Sequence, residues 1–189
     1  MRSRVLALVV AALLLGAACS SSSDTDDETL PPNDFGELAD IFDSELRPLG
    51  LRLTRGALVD TDDGGYRRSD RGNHLALYVE PTGAYSPEDY ARGIVPTAQV
   101  FLPDVFERWP ELETMDVCQE PLPGTDDREE PPPVTQLYVA RAESHSFDWE
   151  NARLADVVSA AALGRRGFTL YVAPAVSADP SYARVSSGG

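Results

Sequence analysis

The sequence predicts an α+β domain in which a mostly antiparallel sheet carries helices on one face. The chain has 189 residues, of which 42% are hydrophobic, and this length and content suit one domain with a sizeable core. From Gly72 onward, short runs typical of strands alternate with runs that have the helical period. Proline or glycine bounds most of these runs, which indicates short elements joined by turns and loops.

The domain is expected to begin with one helix followed by two strands. Apolar residues at helical spacing follow a capping residue, Asn33 or Asp34, and Gly50 marks the end of this helix. These apolar residues are Phe35, Leu38, Ile41, Phe42 and Leu46. The next segment, LRLTRGALVD, predicts a strand with a bulge at Gly56. DTDDGG then predicts a turn, and GNHLALYVE predicts a second strand that forms a hairpin with the first.

A broken helix is predicted between this hairpin and the next strand. Ser86 is a typical helix cap, and Pro87 suits the first helical turn. Apolar residues on one side then continue to Trp109. Prolines recur every seven residues through this stretch, at Pro96, Pro103 and Pro110. The helix must therefore be kinked or divided, and ETMDVCQ follows it as a strand.

The last third of the chain predicts two strands on either side of a helix. VTQLYVARA and GFTLYVAP have strand patterns, and Asp148 is the expected cap of the helix between them, which Gly164 closes. Residues 120–133 predict a proline-rich acidic loop, and residues 177–189 predict a flexible tail. Within the loop, PPPV either forms a polyproline II recognition element or belongs to a disordered hairpin insertion.

The order of elements from Gly72 is strand, helix, strand, strand, helix, strand. This is the βαββαβ order of a ferredoxin-like sandwich, here with an extra helix and strand at its N-terminal side. In that sandwich the first strand lies between two others and has no free edge. If strand 51–59 pairs with strand 74–80, the sheet must therefore be rearranged.

The first residues have the order of a signal peptide. Arg2 and Arg4 precede an apolar run of 11 residues, Val5 to Leu15, which is too short to span a bilayer comfortably. Gly16, Ala17, Ala18 and Cys19 follow. This segment resembles the signal peptides of bacterial lipoproteins, in which small residues precede a cysteine. The family usually has leucine three residues before that cysteine, where this chain has glycine.

The resemblance implies that residues 1–18 are removed and that Cys19 carries acyl chains such as palmitate. Two acyl chains on Cys19 would anchor the protein stably to the extracytoplasmic face of the cell membrane. Residues 19–33 then form a disordered acidic and serine-rich tether, and residues 34–176 form the single domain. An ordinary secretory signal and a lone transmembrane anchor are the alternatives.

The charge distribution argues against nucleic acid as a partner. The formal net charge is −15, and all 16 basic residues are arginine, which is typical of a high-GC bacterium. Arginines nevertheless crowd the region of the first two strands. They include the partner-binding candidates Arg52, Arg55, Arg67, Arg68 and Arg71. These side chains either form a docking face for an anionic partner or pair with the acids of the chain itself.

Candidate chemistry centres on the two histidines, His74 and His145. The ferredoxin-like arrangement would bring both towards Asp148, with Asp116 at the same end of the sheet. Two imidazoles and a carboxylate suit zinc with an open position, although ESHSFDWE is equally typical of a solvated corner. Cys118 is expected to be a buried, inert thiol that does not meet His145.

No sequence motif identifies a cofactor. The chain has neither a P-loop nor a dinucleotide-binding glycine motif, and no G-x-S-x-G elbow. We therefore expect a non-catalytic binding or envelope accessory module that binds an envelope protein or a small ligand. The alternative function is a small extracytoplasmic hydrolase or metal-dependent enzyme that uses His74 and His145.

Overall fold

A computed structural model describes residues 29–62, 65–68, 72–124 and 131–183, with only the backbone described for 60–62 and 65–68. These residues form an α+β structure around one six-stranded sheet. The strands are β1 Leu51–Asp62, β2 Gly65–Arg68, β3 His74–Pro81, β4 Thr114–Gln119, β5 Thr135–Ala140 and β6 Phe168–Val172. The helices are α1 Phe35–Leu46, α2 Pro87–Arg92, α3 Ile94–Phe101, α4 Val105–Arg108, α5 Arg141–His145, α6 Leu154–Ala162 and α7 Pro174–Ser177.

The strand order is β2-β1-β3-β4-β5-β6, and only the β3–β4 pair is parallel. The ferredoxin-like order is therefore not confirmed. In that order the first strand of the βαββαβ unit would pair with the third, but β3 pairs with β4 instead. The physical reason is that β1 occupies the other edge of β3, so the next strand in the chain, β5, adds to β4. The predicted pairing of β1 with β3 is confirmed.

Apolar strand residues alternate onto one face of the sheet, where the core lies. Leu77 of β3, Val117 of β4 and Leu137 of β5 are fully buried there and belong to the same cluster as α1, α3 and α6. The bulge in β1 lies between Leu53 and Arg55, not at the predicted Gly56. A side chain at Gly56 would start 2.6 Å from Cδ1 of Leu38, so this glycine permits the close approach of α1.

The helix between β3 and β4 is broken as predicted, into α2, α3 and α4. Pro96 does not break it, because this residue lies in the first turn of α3, where the backbone N–H has no acceptor within the helix. Asp34 is the cap of α1 and accepts a hydrogen bond from the backbone N–H of Glu37 at 3.1 Å. Asp148 is not a helix cap; α6 begins at Leu154, with Asp156 bonded to the backbone N–H of Arg153.

Both ends of the described chain pack against the domain. Pro31 is buried, and the backbone N–H of Glu111 donates to the carbonyl oxygen of Thr29 at 2.9 Å. The predicted disordered tether is therefore wrong for residues 29–33, and residues 19–28 lie outside the described part. The predicted flexible tail is likewise wrong for 177–183, because Tyr182 is fully buried. Within loop 120–133, the described residues adopt neither helix nor strand, as expected.

Candidate functional site

The strand residues that alternate with the core residues form a second face, which we call the helix-free face. None of its side chains belongs to the hydrophobic core cluster, which contains the buried residues of the described helices. Its described side chains include those of Arg52, Arg55, Ala57, His74, Ala76, Tyr78, Thr114, Asp116, Cys118, Gln136, Tyr138, Thr169 and Tyr171. Sites formed by a sheet face are wide and shallow, and they suit a macromolecular partner better than an enclosed small substrate.

One row of residues crosses five strands of this face. The Cα register joins Arg55 to Tyr78, Tyr78 to Cys118, Cys118 to Gln136, and Gln136 to Tyr171. The guanidinium carbon of Arg55 lies 3.9 Å from the ring centroid of Tyr78, within the range of a cation–π contact. Tyr171, on the edge strand β6, is 41% exposed. The row thus exposes Arg55 at β1 and Tyr171 at the far edge of the sheet, with Tyr78 and Gln136 half-buried and Cys118 buried between them.

The arginines of β1 pair with acids of the chain itself. Arg52 forms an ion pair with Glu80, and Nε of Arg55 lies 2.7 Å from Oε1 of Glu120. The hydrogen bond with Glu120 raises the pKa of Arg55 above its usual value. Both arginine side chains nevertheless stay more than 60% exposed, so the pairs remain open to a partner. Their mutual attraction contributes little to stability at such exposure.

The other three arginine candidates cannot be placed on this face. Arg67 and Arg68 lie in β2, where only the backbone is described. Arg71 lies outside the described residues. Their part in partner binding therefore stays a prediction from the sequence.

Below the row, a buried polar cluster surrounds His74. Its Nδ1 lies 2.9 Å from Oγ1 of Thr114, and its Nε2 lies 3.2 Å from Oδ2 of Asp116. Gln136 donates to the same Asp116 oxygen at 2.8 Å. The imidazole also stacks on Tyr138, with ring centroids 6.0 Å apart. The His74 side chain is fully buried, so these contacts hold the beginnings of β3 and β4 in one arrangement.

The structure unites only part of the predicted metal site. His74 and Asp116 are adjacent, whereas the His145 ring lies against Phe106 of α4, with centroids 6.4 Å apart. Asp148 is exposed and accepts hydrogen bonds from the side chain of Asn151. Within the described ranges, no three side chains among histidine, cysteine, aspartate and glutamate are placed to hold a metal ion. The cause of the difference is the strand order, because the predicted approach depended on the ferredoxin-like sheet.

Cys118 is a buried thiol, as the sequence predicted. Burial raises its pKa above the ordinary value of a thiol, and the nearby carboxylate of Asp116 acts in the same direction. The pKa of the neighbouring Tyr78 is raised to about 12, again mainly by burial. Since the thiolate is the nucleophilic form, a raised pKa and full burial make Cys118 a poor nucleophile.

The tyrosines of the helix-free face were not singled out from the sequence. Tyr78, Tyr138 and Tyr171 each stand one residue away from a core residue of the same strand. The signal was therefore present as the period of two in GNHLALYVE, VTQLYVARA and GFTLYVAP. The period of two does not by itself predict that the three rings share one surface, because that also depends on the strand order.

The chain matches no known protein family, no curated protein and no solved structure. Among the helices of the described residues, none combines the length and apolar character needed to cross a membrane.

Proposed function

We propose that this protein is a lipid-anchored extracytoplasmic binding module that binds an envelope protein through its helix-free face. The observation that carries the proposal is the row from Arg55 to Tyr171, which crosses five strands without a described helix over it. Tyrosine and arginine are the residue types enriched at the energetic centres of protein interfaces. A sheet face of this composition supports recognition of a protein surface.

The state of the ionisable groups supports binding over catalysis. His74 and Cys118, the two side chains of this face best suited to acid–base or nucleophilic work, are fully buried. A general base must reach within hydrogen-bond distance of its substrate, which a buried imidazole does not do. His145 lies against Phe106 instead of joining His74. The alternative of a hydrolase or metal enzyme built on both histidines therefore has less support.

The anchor rests on the resemblance of residues 1–19 to lipoprotein signal peptides. The described chain enters the domain at Thr29, which is bonded to Glu111 shortly before β4 begins. His74, where β3 begins, pairs with Thr114, the first residue of β4. Seven strand steps then lead along β3 to Pro81, a distance of about 23 Å. An anchor at the end of the sheet where β3 and β4 begin would let the helix-free face extend away from the membrane towards a partner.

Two tyrosines of equal exposure provide a matched test of the face. Tyr171 lies on the face and Tyr85 lies in the connection before α2, and each is 41% exposed. We expect Tyr171→Ala to weaken recovery of a crosslinked envelope partner about ten-fold, because truncating an exposed interface tyrosine removes packed area. Tyr85→Ala should leave recovery unchanged. Equal recovery with both variants would contradict the proposal.

A separate experiment tests the anchor. Cys19→Ala should move the protein from the membrane fraction to the soluble extracytoplasmic fraction, because no acyl chain can then be attached. The measurement is the distribution of the full chain after alkaline washing of membranes. A Cys19→Ala protein that stays equally membrane-bound would contradict lipid anchoring, whatever the result for Tyr171.

A further inference from the structure

A second concave site lies among the helices, away from the helix-free face. It is a groove with a volume of about 510 Å³ beside α4 and α5. Phe106, Phe147 and Trp149 supply its aromatic lining, while Glu107, Asp148 and Glu150 stand at its exposed margin. We call it the aromatic groove. Its volume lies in the range of pockets that take small organic ligands.

The aromatic lining is held in place before any ligand arrives. The rings of Phe147 and Trp149 are 4.4 Å apart, and Trp149 stacks on Phe168 at 5.9 Å with nearly parallel planes. Nε1 of Trp149 donates to Oγ of the buried Ser144 at 3.0 Å. The indole N–H is thus already satisfied, and Trp149 is buried, so the half-buried ring of Phe147 is the main aromatic surface that a ligand would contact.

Two basic residues, Arg141 and His145, line the groove, and Arg141 is committed to the backbone. The Arg141 guanidinium donates to the carbonyl oxygens of Phe106, Trp109 and Leu112 at distances of 2.5 to 2.9 Å. These hydrogen bonds use all three nitrogens of the guanidinium. Burial lowers the pKa of Arg141. Arg141 therefore fixes the C-terminal end of α4 and is not free to bind an anionic ligand.

Two of the three carboxylates at the margin are free by contrast. Glu107 and Glu150 are exposed, and no described residue forms an ion pair or hydrogen bond with their carboxylates. Asp148 is held by Asn151, whose side-chain nitrogen donates to both of its oxygens. The groove thus combines a fixed aromatic lining with uncompensated negative charge, which is the combination that attracts a cation over an aromatic ring.

We propose that the aromatic groove binds a small organic cation, an ammonium or guanidinium group carried on an apolar body. The apolar body would lie against Phe147 and Trp149, and the cationic group would lie between Glu107 and Glu150. This site does not depend on the proposed function of the helix-free face, because the two sites share no residue.

The test compares two probes of matched shape and opposite charge, phenethylammonium and 3-phenylpropionate. Binding is followed by Trp fluorescence and by ligand-observed NMR on the full chain. We expect the ammonium to bind and the carboxylate not to bind at the same millimolar concentration. Added salt should weaken the ammonium complex, because exposed charges are screened.

Three variants locate the site. Replacing both margin glutamates, Glu107→Gln with Glu150→Gln, should weaken ammonium binding about ten-fold, from about three-fold for each exposed carboxylate. Phe147→Ala should weaken it by a similar factor through lost ring contact. Glu37→Gln, at an exposed position of α1, removes a carboxylate charge away from the groove and should leave ammonium binding unchanged.

Several results would overturn the inference. Equal binding of the two probes would show that charge does not select the ligand. Unchanged affinity in the double glutamine variant would place the probe elsewhere, and the absence of any ammonium binding would remove the site. Tyr171→Ala separates the two proposals, because it should weaken recovery of the protein partner about ten-fold and leave probe binding unchanged.

Discussion

The two faces of the sheet are built from the same strands and differ in almost every other respect. Leu77 and Tyr78 are neighbours in β3, yet Leu77 is fully buried in the core cluster and Tyr78 lies half-buried under Arg55. In β6, Leu170 joins the core while Tyr171 is 41% exposed. One face is apolar and covered by helices, whereas the other combines tyrosine, arginine and a buried histidine–aspartate pair.

This difference separates stability from recognition. Burying an aliphatic side chain contributes about 1.5 to 3 kcal/mol, so the core face accounts for most of the favourable energy of the sheet. The exposed groups of the helix-free face contribute little by comparison. These groups can therefore be used to bind a partner. Variants of the two faces should show opposite effects, with loss of folding on one and loss of binding on the other.

The largest contrast is expected between Leu77 and Thr169. Leu77→Ala removes a fully buried side chain and should lower the free energy of unfolding by about 2 to 5 kcal/mol. Thr169→Ala, at an exposed position of the helix-free face, should change it by less than about 0.5 kcal/mol. Urea denaturation followed by circular dichroism measures both. A similar cost at the two positions would erase the distinction between the faces.

Two glycines provide a second comparison: Gly56 lies where α1 contacts the sheet, and Gly83 lies in the connection after β3. Gly56→Ala places a carbon 2.6 Å from Cδ1 of Leu38 and 3.2 Å from Cδ2 of Leu77, so it should cost about 1 to 3 kcal/mol. Gly83→Ala meets no atom within 4 Å and should be close to neutral. Thermal unfolding of both variants provides the measurement. A neutral Gly56→Ala would mean that α1 packs less closely than described.

The buried thiol predicts a loss of stability at alkaline pH. Because the pKa of Cys118 is raised by folding, the unfolded chain releases this proton first. Stability should be complete below about pH 8.5 and fall as pH rises, by up to about 1.4 kcal/mol per pH unit for this group. Tyr78, whose pKa is raised to about 12, adds the same tendency above about pH 10.

The Cys118→Ala variant isolates the contribution of the thiol. Cys118→Ala should remove the loss of stability that begins near the pKa of a thiol in the unfolded chain. It should keep the loss of stability that tyrosine ionisation causes at higher pH. The measurement is the urea midpoint of both proteins between pH 7 and 11. An identical pH profile for the two proteins would contradict the burial of Cys118.

The smallest effect is expected for the ion pair of Arg52 with Glu80. Arg52→Ala should lower the unfolding free energy by less than about 1 kcal/mol, because the guanidinium is largely exposed. Glu80→Gln serves as the partner variant, and a double-mutant cycle gives the coupling energy. A coupling well above 1 kcal/mol would make this pair a stabilising element of the sheet rather than an accessible part of the helix-free face.

Most individual elements could be predicted from local patterns. The cap Asp34, the break at Pro103 between α3 and α4, and the strand at Cys118 follow from capping, proline and alternation rules that act within a few residues. Their agreement with the structure reflects interactions between neighbours in the chain. The helix α5 was missed because Arg141–His145 is a single turn that lacks a capping side chain.

The strand order and the site required information that local patterns do not hold. Whether β5 pairs with β3 or with β4 depends on which edge β1 occupies, and β1 is separated from β3 by a long hairpin. The predicted meeting of His74 with His145 failed for this reason, while the neighbouring strands did unite His74 with Asp116. The row from Arg55 to Tyr171 likewise arises only from the order of the strands in the sheet.

The most direct test of the helix-free face is photocrosslinking at two exposed positions in otherwise native membranes. A photoreactive amino acid replaces Thr169, on that face, or Leu163, which follows α6 and is 68% exposed. The account predicts a crosslink to one dominant envelope protein from position 169 and none from position 163. Crosslinks to that protein from position 163 alone, or no protein crosslink from position 169, would contradict it.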